Sequence, residues 1–450
     1  MISVRPLPRP DDIAPLPPHR AAPQFVNVVA RLTGLNAVII LTGMVTGPIT
    51  ARALGPDGRG ELAAILVVLT LAPWVLDLGL SVWVGRERAR GASRADVLGA
   101  ALPVALACSL LGVVGAIPLS NMLGEDRPVV VAFLQIGLFL LPLSVALQTL
   151  VGLAIGESRW ELFTAVRVVG SVLPAVVIVL LAIFGYLTVT TAAAAYLIGG
   201  MLGSLLLLRL IKGMRRLSLD LSRSRVATAF GAKSWLSTVG NVANYRLDQV
   251  LMVGLVSSSE LGLYAVAVTV GSLTSTLVGA ASTALFPRIA QGDAELATRA
   301  CRVTAGVVGL AGLLLAMATP TAVPFVFGSD FARSVPMVLI LLAASVPLAA
   351  AGVLSAALQA ADDPAASMRA ELVALALSVP ALILILPAYG GIGAAMVSAV
   401  AYSIRFLIQL RPACRAFGAR SRDFLIPTRH DLTYIMRRVL RPTVSAAESP

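Results

Sequence analysis

The chain has 450 residues, of which 58% are hydrophobic and only 13% are charged, and its mean hydropathy is +0.89. A soluble domain of this size needs far more charge to cover its surface, so the composition excludes a soluble protein. The net charge of +12 comes mainly from arginines on inner loops and helix ends, and it requires no nucleic-acid partner.

Apolar runs of about 20 residues recur along nearly the whole chain, and each can cross about 30 Å of hydrocarbon as a helix. We predict about twelve spans, at residues 26–52, 61–84, 97–119, 128–153, 162–186, 189–209, 229–256, 260–286, 301–327, 334–358, 367–388 and 390–410. The least distinct breaks lie near Gly185 and Gly390. The fold class is therefore an all-α polytopic membrane protein.

The longest inner loop divides the predicted spans six and six. The predicted domains are a disordered, proline-rich cytoplasmic tail at 1–25, a first six-helix lobe at 26–209, a basic cytoplasmic linker at 210–228, a second six-helix lobe at 229–410 and a basic cytoplasmic tail at 411–450. A shift of 202 residues aligns GRGELAAILVV (58–68) with ELGLYAVAVTV (260–270) and places Gly60 on Gly262. This repeat predicts two pseudo-symmetric lobes, related by an axis along the membrane normal.

The placement of lysine and arginine sets the orientation in the membrane. With the N terminus inside, the arginines on outer turns are Arg52, Arg59, Arg127 and Arg333, whereas the runs GRERARGASR and RLIKGMRRLSLDLSRSR fall on inner loops. We therefore predict a multi-pass protein with both termini in the cytoplasm. The many Arg, Ala, Val and Gly residues are typical of a GC-rich bacterial genome, so the membrane is predicted to be the bacterial plasma membrane.

The stretch NVANYRLDQVLMVGL (241–255) places charges inside predicted span 7. Polar residues recur there at spacings of three and four on one helical face: Ser234, Ser237, Asn241, Asn244 and Asp248, with Lys233 at the cytoplasmic edge. Arg246 and Asp248 lie roughly 15 Å from the predicted outer end near Ser257, where a charge facing lipid costs about 3 kcal/mol or more. The stripe is therefore either a set of hydrogen bonds between helices or the wall of a polar cavity between the lobes.

Arg246 projects about 160° away from Asp248 on the same helix, so the two cannot form a same-face pair. It faces the interior of the second lobe, lies at a bend, or lines the cavity from an unwound turn, and the sequence leaves these readings open. Asp77, in VLDLGL, is either a proton or cation site or a hydrogen-bonded helix end. We expect Arg405 to extend toward the inner head groups and Glu371 to lie at the membrane interface.

Several enzyme and cofactor signatures are absent from the sequence. There is no GxxxxGK[ST] phosphate loop, since GAKS (231–234) lacks the adjacent Gly-Lys pair, so we expect no ATP hydrolysis. The two histidines, His19 and His430, lie in the tails, and no cofactor or metal site is predicted. The predicted outer turns are too short to carry an external catalytic domain. A transporter is therefore expected, and not an enzyme.

Five stretches resemble bacterial polysaccharide-repeat-unit flippases: ARALGPDGRGELAAIL (51–66), VLDLGL (75–80), NYRLDQVLMVGLVSSSELGLYAVA (244–267), FVFGSDFARSVPMVLILL (325–342) and LPAYGGIGAAMVSAVAY (386–402). The resemblance extends over about residues 25–410, and the superfamily also contains multidrug antiporters and peptidoglycan-precursor flippases. It implies two lobes in a V that open alternately to each side. It also implies a polyprenyl-pyrophosphate-linked oligosaccharide as substrate, with a polysaccharide polymerase or glycosyltransferase as partner.

On this resemblance, Arg31, Lys233 and Arg246 are candidates to bind the pyrophosphate. The amides of Asn241 and Asn244, together with Asp248, are candidates to contact the sugars. Coupling to H⁺ or Na⁺ would use Asp248 or Asp77. The alternative is a cation-coupled multidrug or metabolite antiporter on the same fold, which would favour acidic and aromatic cavity residues. The 5% aromatic content and the two signs of charge in span 7 favour the flippase.

Overall fold

The computed structural model describes residues 22–123, 127–212, 220–289, 294–361 and 363–425, and the regular structure in these ranges is helical. The helices are α1 (Ala22–Leu76), α2 (Leu80–Ala89), α3 (Arg94–Leu123), α4 (Pro128–Gly156), α5 (Trp160–Ile183), α6 (Val189–Leu205), α7 (Leu221–Leu255), α8 (Ser258–Ile289), α9 (Ala294–Phe327), α10 (Val335–Ala360), α11 (Pro364–Phe417) and α12 (Ser421–Leu425). Short 3-10 helices, Leu206–Leu210 and Ser329–Ser334, follow α6 and precede α10.

Two of the helices are each interrupted by one glycine. Gly55 in α1 has φ 68° and Gly390 in α11 has φ 49°, in the left-handed region that glycine enters without steric cost. Each helix therefore consists of two segments, which we call first and second: 22–54 and 56–76 in α1, and 364–389 and 391–417 in α11. The predicted breaks near Gly390 and Gly185 are both confirmed.

Eight helical stretches in the described ranges are long and apolar enough to cross a membrane. Two of them, Val38–Leu76 and Ala365–Phe417, contain the glycine breaks and supply two spans each. With α7 and α8, of 35 and 32 residues, the number of spans reaches the predicted twelve. Large apolar side chains are exposed on these helices, including Phe139 at 84% and Leu384 at 77%, as expected for a surface that faces lipid.

The apolar cores show how the two lobes meet. We name the two membrane sides outer and inner according to the predicted orientation. At the outer end, one core combines residues of both lobes, such as Leu62 and Leu261. At the inner end the cores are separate, one around Leu98 in the first lobe and one around Leu354 in the second. The lobes therefore share one apolar core at the outer end, whereas at the inner end each lobe has an apolar core of its own.

Helix α7 links the two lobes. It begins at Leu221, capped by Asp220, whose carboxylate accepts hydrogen bonds from the backbone N of Ser222 at 2.9 Å and of Arg223 at 3.2 Å. Its inner end, including Ala227, packs into the core of the first lobe, whereas its outer half packs on α11 in the second. The helix thus starts within the predicted linker 210–228. The domain boundaries themselves stay predictions, and the tails outside 22–425 lie beyond the described residues.

Candidate functional site

Asp248 is buried inside the second lobe, where three elements supply its hydrogen bonds. Its Oδ2 accepts from the hydroxyl of Tyr264 on α8 and, at 3.2 Å, from Ser398 Oγ on α11. Its Oδ1 accepts from the backbone N of Gln249 at 2.7 Å. The residue is 7% exposed. A carboxylate held in this way has the partners that a buried charge requires.

This position corrects one part of the sequence interpretation. Asp248 was expected on the wall of a cavity between the lobes, but its carboxylate lies between α7, α8 and α11 of one lobe. Direct contact between Asp248 and a substrate therefore has no support from the geometry. The physical reason is that Tyr264 and Ser398 offer hydroxyl donors within the lobe, and a helical wheel of α7 alone does not show them.

A small cavity lies beside Asp248. Ser378, Ser398 and Tyr402 line it, together with apolar residues such as Leu375. Its volume of about 10 Å³ holds about one water molecule. The cavity can therefore admit a water molecule or a small cation, but not a sugar.

Arg246 lies on the opposite side of α7 and is exposed. Its Nη1 donates to Gln249 Oε1 at 3.0 Å, and the backbone N of Gln249 donates to Asp248. Gln249 thus joins the two charged residues without direct contact between them. Arg246 lies roughly 13 Å from the outer end of α7, near the middle of the membrane. Among the described side chains of this part of α7, the guanidinium is therefore a charged group that a ligand can reach.

Asp77 has the contacts of a helix cap. It lies at the break between α1 and α2, where Leu78 and Gly79 have positive φ. Its carboxylate accepts from Ser81 N at 3.1 Å and Ser81 Oγ at 2.7 Å, with Thr149 Oγ1 at 3.4 Å. These bonds match the second reading of this residue, a hydrogen-bonded helix end. Its ion-coupling role stays a prediction.

The remaining candidates lie on described helices, but their side chains are outside the described part of the chain. They are Arg31 on α1 and Lys233, Asn241 and Asn244 on α7. Their predicted roles in binding the substrate stay predictions.

Two arginines tie the lobes together at the outer end. Arg52 on α1 donates to the carbonyl oxygens of Phe325 and Val326 at the end of α9. Arg127, before α4, donates to the carbonyl oxygens of Val253 at 3.3 Å and Val256 at 3.0 Å, at the end of α7. The last carbonyls of a helix have no partner within it, so a cation there is favourable. We call these contacts the outer latches; in the sequence, both arginines marked only outer turns.

The inner end has its own contacts between α7 and the first lobe. Trp235 Nε1 donates to the Val75 carbonyl oxygen at 2.6 Å, and Ser224 Oγ donates to that of Ala100 at 2.9 Å. A Cβ on Gly79 would lie 2.5 Å from the Gly231 carbonyl oxygen, so these two backbones approach closely. The lobes therefore touch at both ends in this conformation.

An ion cluster closes the inner end of the first lobe. The Glu157 carboxylate accepts from Arg88 Nε at 2.8 Å and from Arg94 Nε at 2.5 Å and Nη2 at 2.6 Å, and Arg159 lies 3.2 Å away. Burial opposes ionisation of Glu157, but the hydrogen bonds from Arg94 and Arg88 outweigh it and lower its pKa. The cluster joins the end of α4 to α2 and to the start of α3.

Two further sequence expectations were wrong. Arg405 was expected to reach the inner head groups and Glu371 to lie at the interface, but they are 3% and 8% exposed and form an ion pair at 2.8 Å. The reason is that the two segments of α11 fold back on each other at Gly390, which brings residues 34 positions apart into contact.

Comparisons with known proteins agree with this architecture. The sequence profile of the family described as polysaccharide biosynthesis protein matches residues 27–293. The chain is 26% identical over 302 residues to the succinoglycan biosynthesis transport protein ExoT of Rhizobium meliloti (strain 1021). This match covers 65% of the chain and 60% of the length of ExoT.

Solved structures share the fold. The lipid II flippase MurJ in its inward closed conformation superposes with a TM-score of 0.72 at 12% identity, over 93% of this chain and 94% of that one. An inward-facing multidrug-resistance transporter of the MATE family superposes with a TM-score of 0.68 at 16% identity, over 84% of this chain and 95% of that one. At these identities the likeness is one of fold. The relatives are transporters and not enzymes, as the sequence predicted. The chain therefore belongs to the polysaccharide biosynthesis protein family and is a multi-pass membrane protein with about twelve spans in two lobes, the fold that these solved structures share.

Proposed function

We propose that this protein flips a polyprenyl-pyrophosphate-linked oligosaccharide from the inner to the outer leaflet of the bacterial plasma membrane, with both termini in the cytoplasm. The glycan then serves synthesis of a cell-surface or exported polysaccharide by a polymerase or glycosyltransferase. Family membership and the resemblance to ExoT and MurJ support a saccharide-linked lipid as the cargo. The two-lobed fold supports alternating access.

The observation that carries the proposal is the exposed guanidinium of Arg246 near the middle of the membrane. A charged side chain there is costly unless it faces water or a charged ligand. A pyrophosphate is such a ligand, because arginine binds phosphate oxygens through two parallel hydrogen bonds. Arg31 and Lys233 are further candidates for the same anion. The prenyl chain stays in the bilayer while the head group crosses beside Arg246.

The packing of the lobes supports the conformational half of the proposal. The shared outer core and the outer latches close the outer side, while the inner cores are separate. A head group enters from the inner side once the inner contacts between α7 and the first lobe open, and it leaves after these contacts close again and the outer contacts open.

Asp248 is the candidate for coupling this cycle to H⁺ or Na⁺. It is a buried carboxylate with a small polar cavity beside it, and Gln249 links it to Arg246. Neutralising Asp248 would change the charge balance beside the arginine that binds the anion. Binding of a cation at Asp248 thereby favours binding of the anionic substrate at Arg246, and loss of the cation favours release of the substrate.

The test uses cells that lack this protein and accumulate lipid-linked oligosaccharide, with leaflet sidedness read by a membrane-impermeant glycan-oxidising reagent and mass spectrometry. We expect wild type to move the glycan to the outer leaflet and Arg246→Ala to leave it inside. Arg369→Ala, an exposed arginine at the inner end of α11, is the matched control. If deletion of the protein changes neither the amount of lipid-linked oligosaccharide nor the leaflet in which it lies, but raises the sensitivity of the cells to cationic drugs, the multidrug antiporter replaces this proposal.

A further inference from the structure

A second buried polar cluster lies in the inner half of the second lobe. Its members, which we call the inner cluster, are Ser355 on α10 and Ser367, Glu371, Arg405 and Gln409 on α11. Arg405 Nη2 donates to Glu371 Oε1 at 2.8 Å and to Ser355 Oγ at 3.2 Å. Gln409 Nε2 and Ser367 Oγ also donate to Ser355 Oγ, at 2.9 and 2.8 Å. Every member is at least nine-tenths buried.

Three buried atoms of this cluster have no partner among the described residues: Nε and Nη1 of Arg405 and Oε1 of Gln409. A buried polar atom without a hydrogen bond costs about 1–3 kcal/mol, and buried water usually supplies the missing bond. Here donors and an acceptor are both unfilled. Water satisfies both kinds of atom, whereas a halide or a metal ion satisfies one. The ligand that fits the inner cluster is therefore water.

Stability alone does not explain the ion pair. Well-packed apolar residues of similar volume usually stabilise a protein as much as a buried ion pair or more. The surrounding inner core, with Leu354, Phe406 and Leu410, is apolar and would accommodate such residues. The charges of Glu371 and Arg405 therefore point to a role beyond packing.

The inner cluster leads toward Asp248. On the first segment of α11, Ser367, Glu371 and Ser378 are four and seven residues apart, at helical spacing. The second segment presents a matching row: Ser398, Tyr402, Arg405 and Gln409. Ser398 contacts Asp248, and Tyr402 lines the cavity beside it. One helical turn, from Tyr402 to Arg405, separates the polar residues around Asp248 from the inner cluster.

We propose that the inner cluster holds ordered water and is the route by which protons reach Asp248 from the cytoplasm. The inference rests on the proposed coupling role of Asp248. A proton from cytoplasmic water passes to the Glu371 carboxylate, then through water beside Tyr402 to the Asp248 carboxylate, and Glu371 returns to its ionised form paired with Arg405. The titratable groups beside Asp248 are Tyr264 on α8 and Tyr402 on α11, while Arg246 lies on the opposite side of α7. Glu371 is paired with Arg405 on the second segment of α11.

The first experiment detects the water. Full-length protein in lipid nanodiscs is exposed to a short X-ray pulse, and hydroxyl-radical modification of side chains is read by mass spectrometry. We expect rapid modification around the inner cluster in spite of its burial, and a several-fold decrease in the double variant Glu371→Leu, Arg405→Leu. Leu62, in the outer core, is the dry reference. Modification no faster than at Leu62 would overturn the proposal.

The second experiment measures flipping in proteoliposomes under a proton gradient, as the pH on the inner side of the protein is varied. Glu371→Gln is expected to slow transport about tenfold, or about 1.4 kcal/mol in the barrier, and to remove its inner-side pH profile. Arg369 is exposed on the same helix, and Arg369→Leu is expected to keep the wild-type transport rate and its dependence on inner-side pH. Asp248→Asn is expected to remove dependence on the proton gradient altogether.

The outcomes separate the inference from the function on which it rests. If Asp248→Asn loses gradient dependence but Glu371→Gln and the double leucine variant keep the pH profile, the inner cluster is packing and this inference falls. If Asp248→Asn itself keeps gradient dependence, the coupling role of Asp248 falls. The thermal midpoint of each variant is measured in parallel. We expect the double leucine variant to unfold within a few degrees of wild type, which separates lost transport from lost folding.

Discussion

Gly60 and Gly262 contact each other across the two lobes in a reciprocal way. A Cβ on Gly60 would lie 1.8 Å from the carbonyl oxygen of Ser258, and a Cβ on Gly262 would lie 2.0 Å from that of Pro56. Ser258 lies 202 residues after Pro56, as Gly262 does after Gly60. Each half of the contact is thus the copy of the other, as expected for residues beside a pseudo-twofold axis. The absence of a Cβ on both residues lets the two helices approach closely at the outer end.

Replacing either of these glycines with alanine is expected to push the lobes apart at the outer end. The new methyl would overlap backbone oxygen, which cannot move aside as a flexible side chain can. Spin-label distances between the outer turn of α1 at Gly55 and the outer end of α9 should shift toward longer values in Gly60→Ala and Gly262→Ala. Gly306→Ala, where a Cβ would meet nothing within 4 Å, is the control. Unchanged distances in both variants would contradict the tight contact.

Loss of the outer latches should have a smaller effect in the same direction. Arg52→Ala and Arg127→Ala each remove hydrogen bonds to helix-end carbonyls of the other lobe, at a cost of about 0.5–1.5 kcal/mol per bond to the closed state. Because the latches lie at different helix ends, we expect their effects on the outer distance to add. Cysteine accessibility at the outer end measures the same opening. Equal accessibility in wild type and the double variant would show that the latches do not hold the outer side closed.

The ion cluster at Glu157 predicts a pH dependence of stability. Because folding lowers the pKa of Glu157, the cluster stabilises the protein above the ordinary carboxyl pKa, and that contribution is lost as pH falls through the lowered value. Glu157→Gln should cost about 1–2 kcal/mol at neutral pH. Thermal unfolding from neutral to strongly acidic pH checks this. The difference in unfolding midpoint between Glu157→Gln and wild type should disappear at acidic pH. A difference that stays constant with pH would contradict the stabilising role of the ionised Glu157.

The hydroxyl of Tyr264 should matter to the fold through Asp248. Tyr264→Phe leaves a buried carboxylate oxygen with one donor fewer, which costs about 1–3 kcal/mol. Tyr389→Phe, at an exposed position, should unfold like wild type. Thermal unfolding in detergent or nanodiscs distinguishes the two. Equal midpoints would show that Asp248 does not depend on this donor.

Much of the fold follows from the sequence because lipid permits few alternatives. Apolar runs give the spans, and the glycine break at Gly390 follows from the same pattern. The orientation read from arginine placement stays a prediction. The opposed directions of Arg246 and Asp248 also follow from helix geometry alone, and the structure agrees.

The partners of buried groups do not follow from a single helix. Asp248 depends on Tyr264 and Ser398, sixteen and 150 residues away. Arg405 pairs with Glu371 only because α11 folds back at Gly390. Without that fold, the long side chain of Arg405 suggested that it reaches the membrane surface. The outer latches use backbone carbonyls, which carry no sequence signal at all.

The central claim is that the guanidinium of Arg246 carries a pyrophosphate-linked glycan across the membrane. The most direct measurement is flipping of a purified polyprenyl-pyrophosphate oligosaccharide in proteoliposomes, by wild type, Arg246→Lys and Arg246→Ala. We predict flipping by wild type, partial flipping with lysine, which keeps the charge but loses the paired hydrogen bonds, and loss with alanine. Equal flipping by wild type and Arg246→Ala would contradict the cationic site, and no flipping by folded wild type would contradict the function itself.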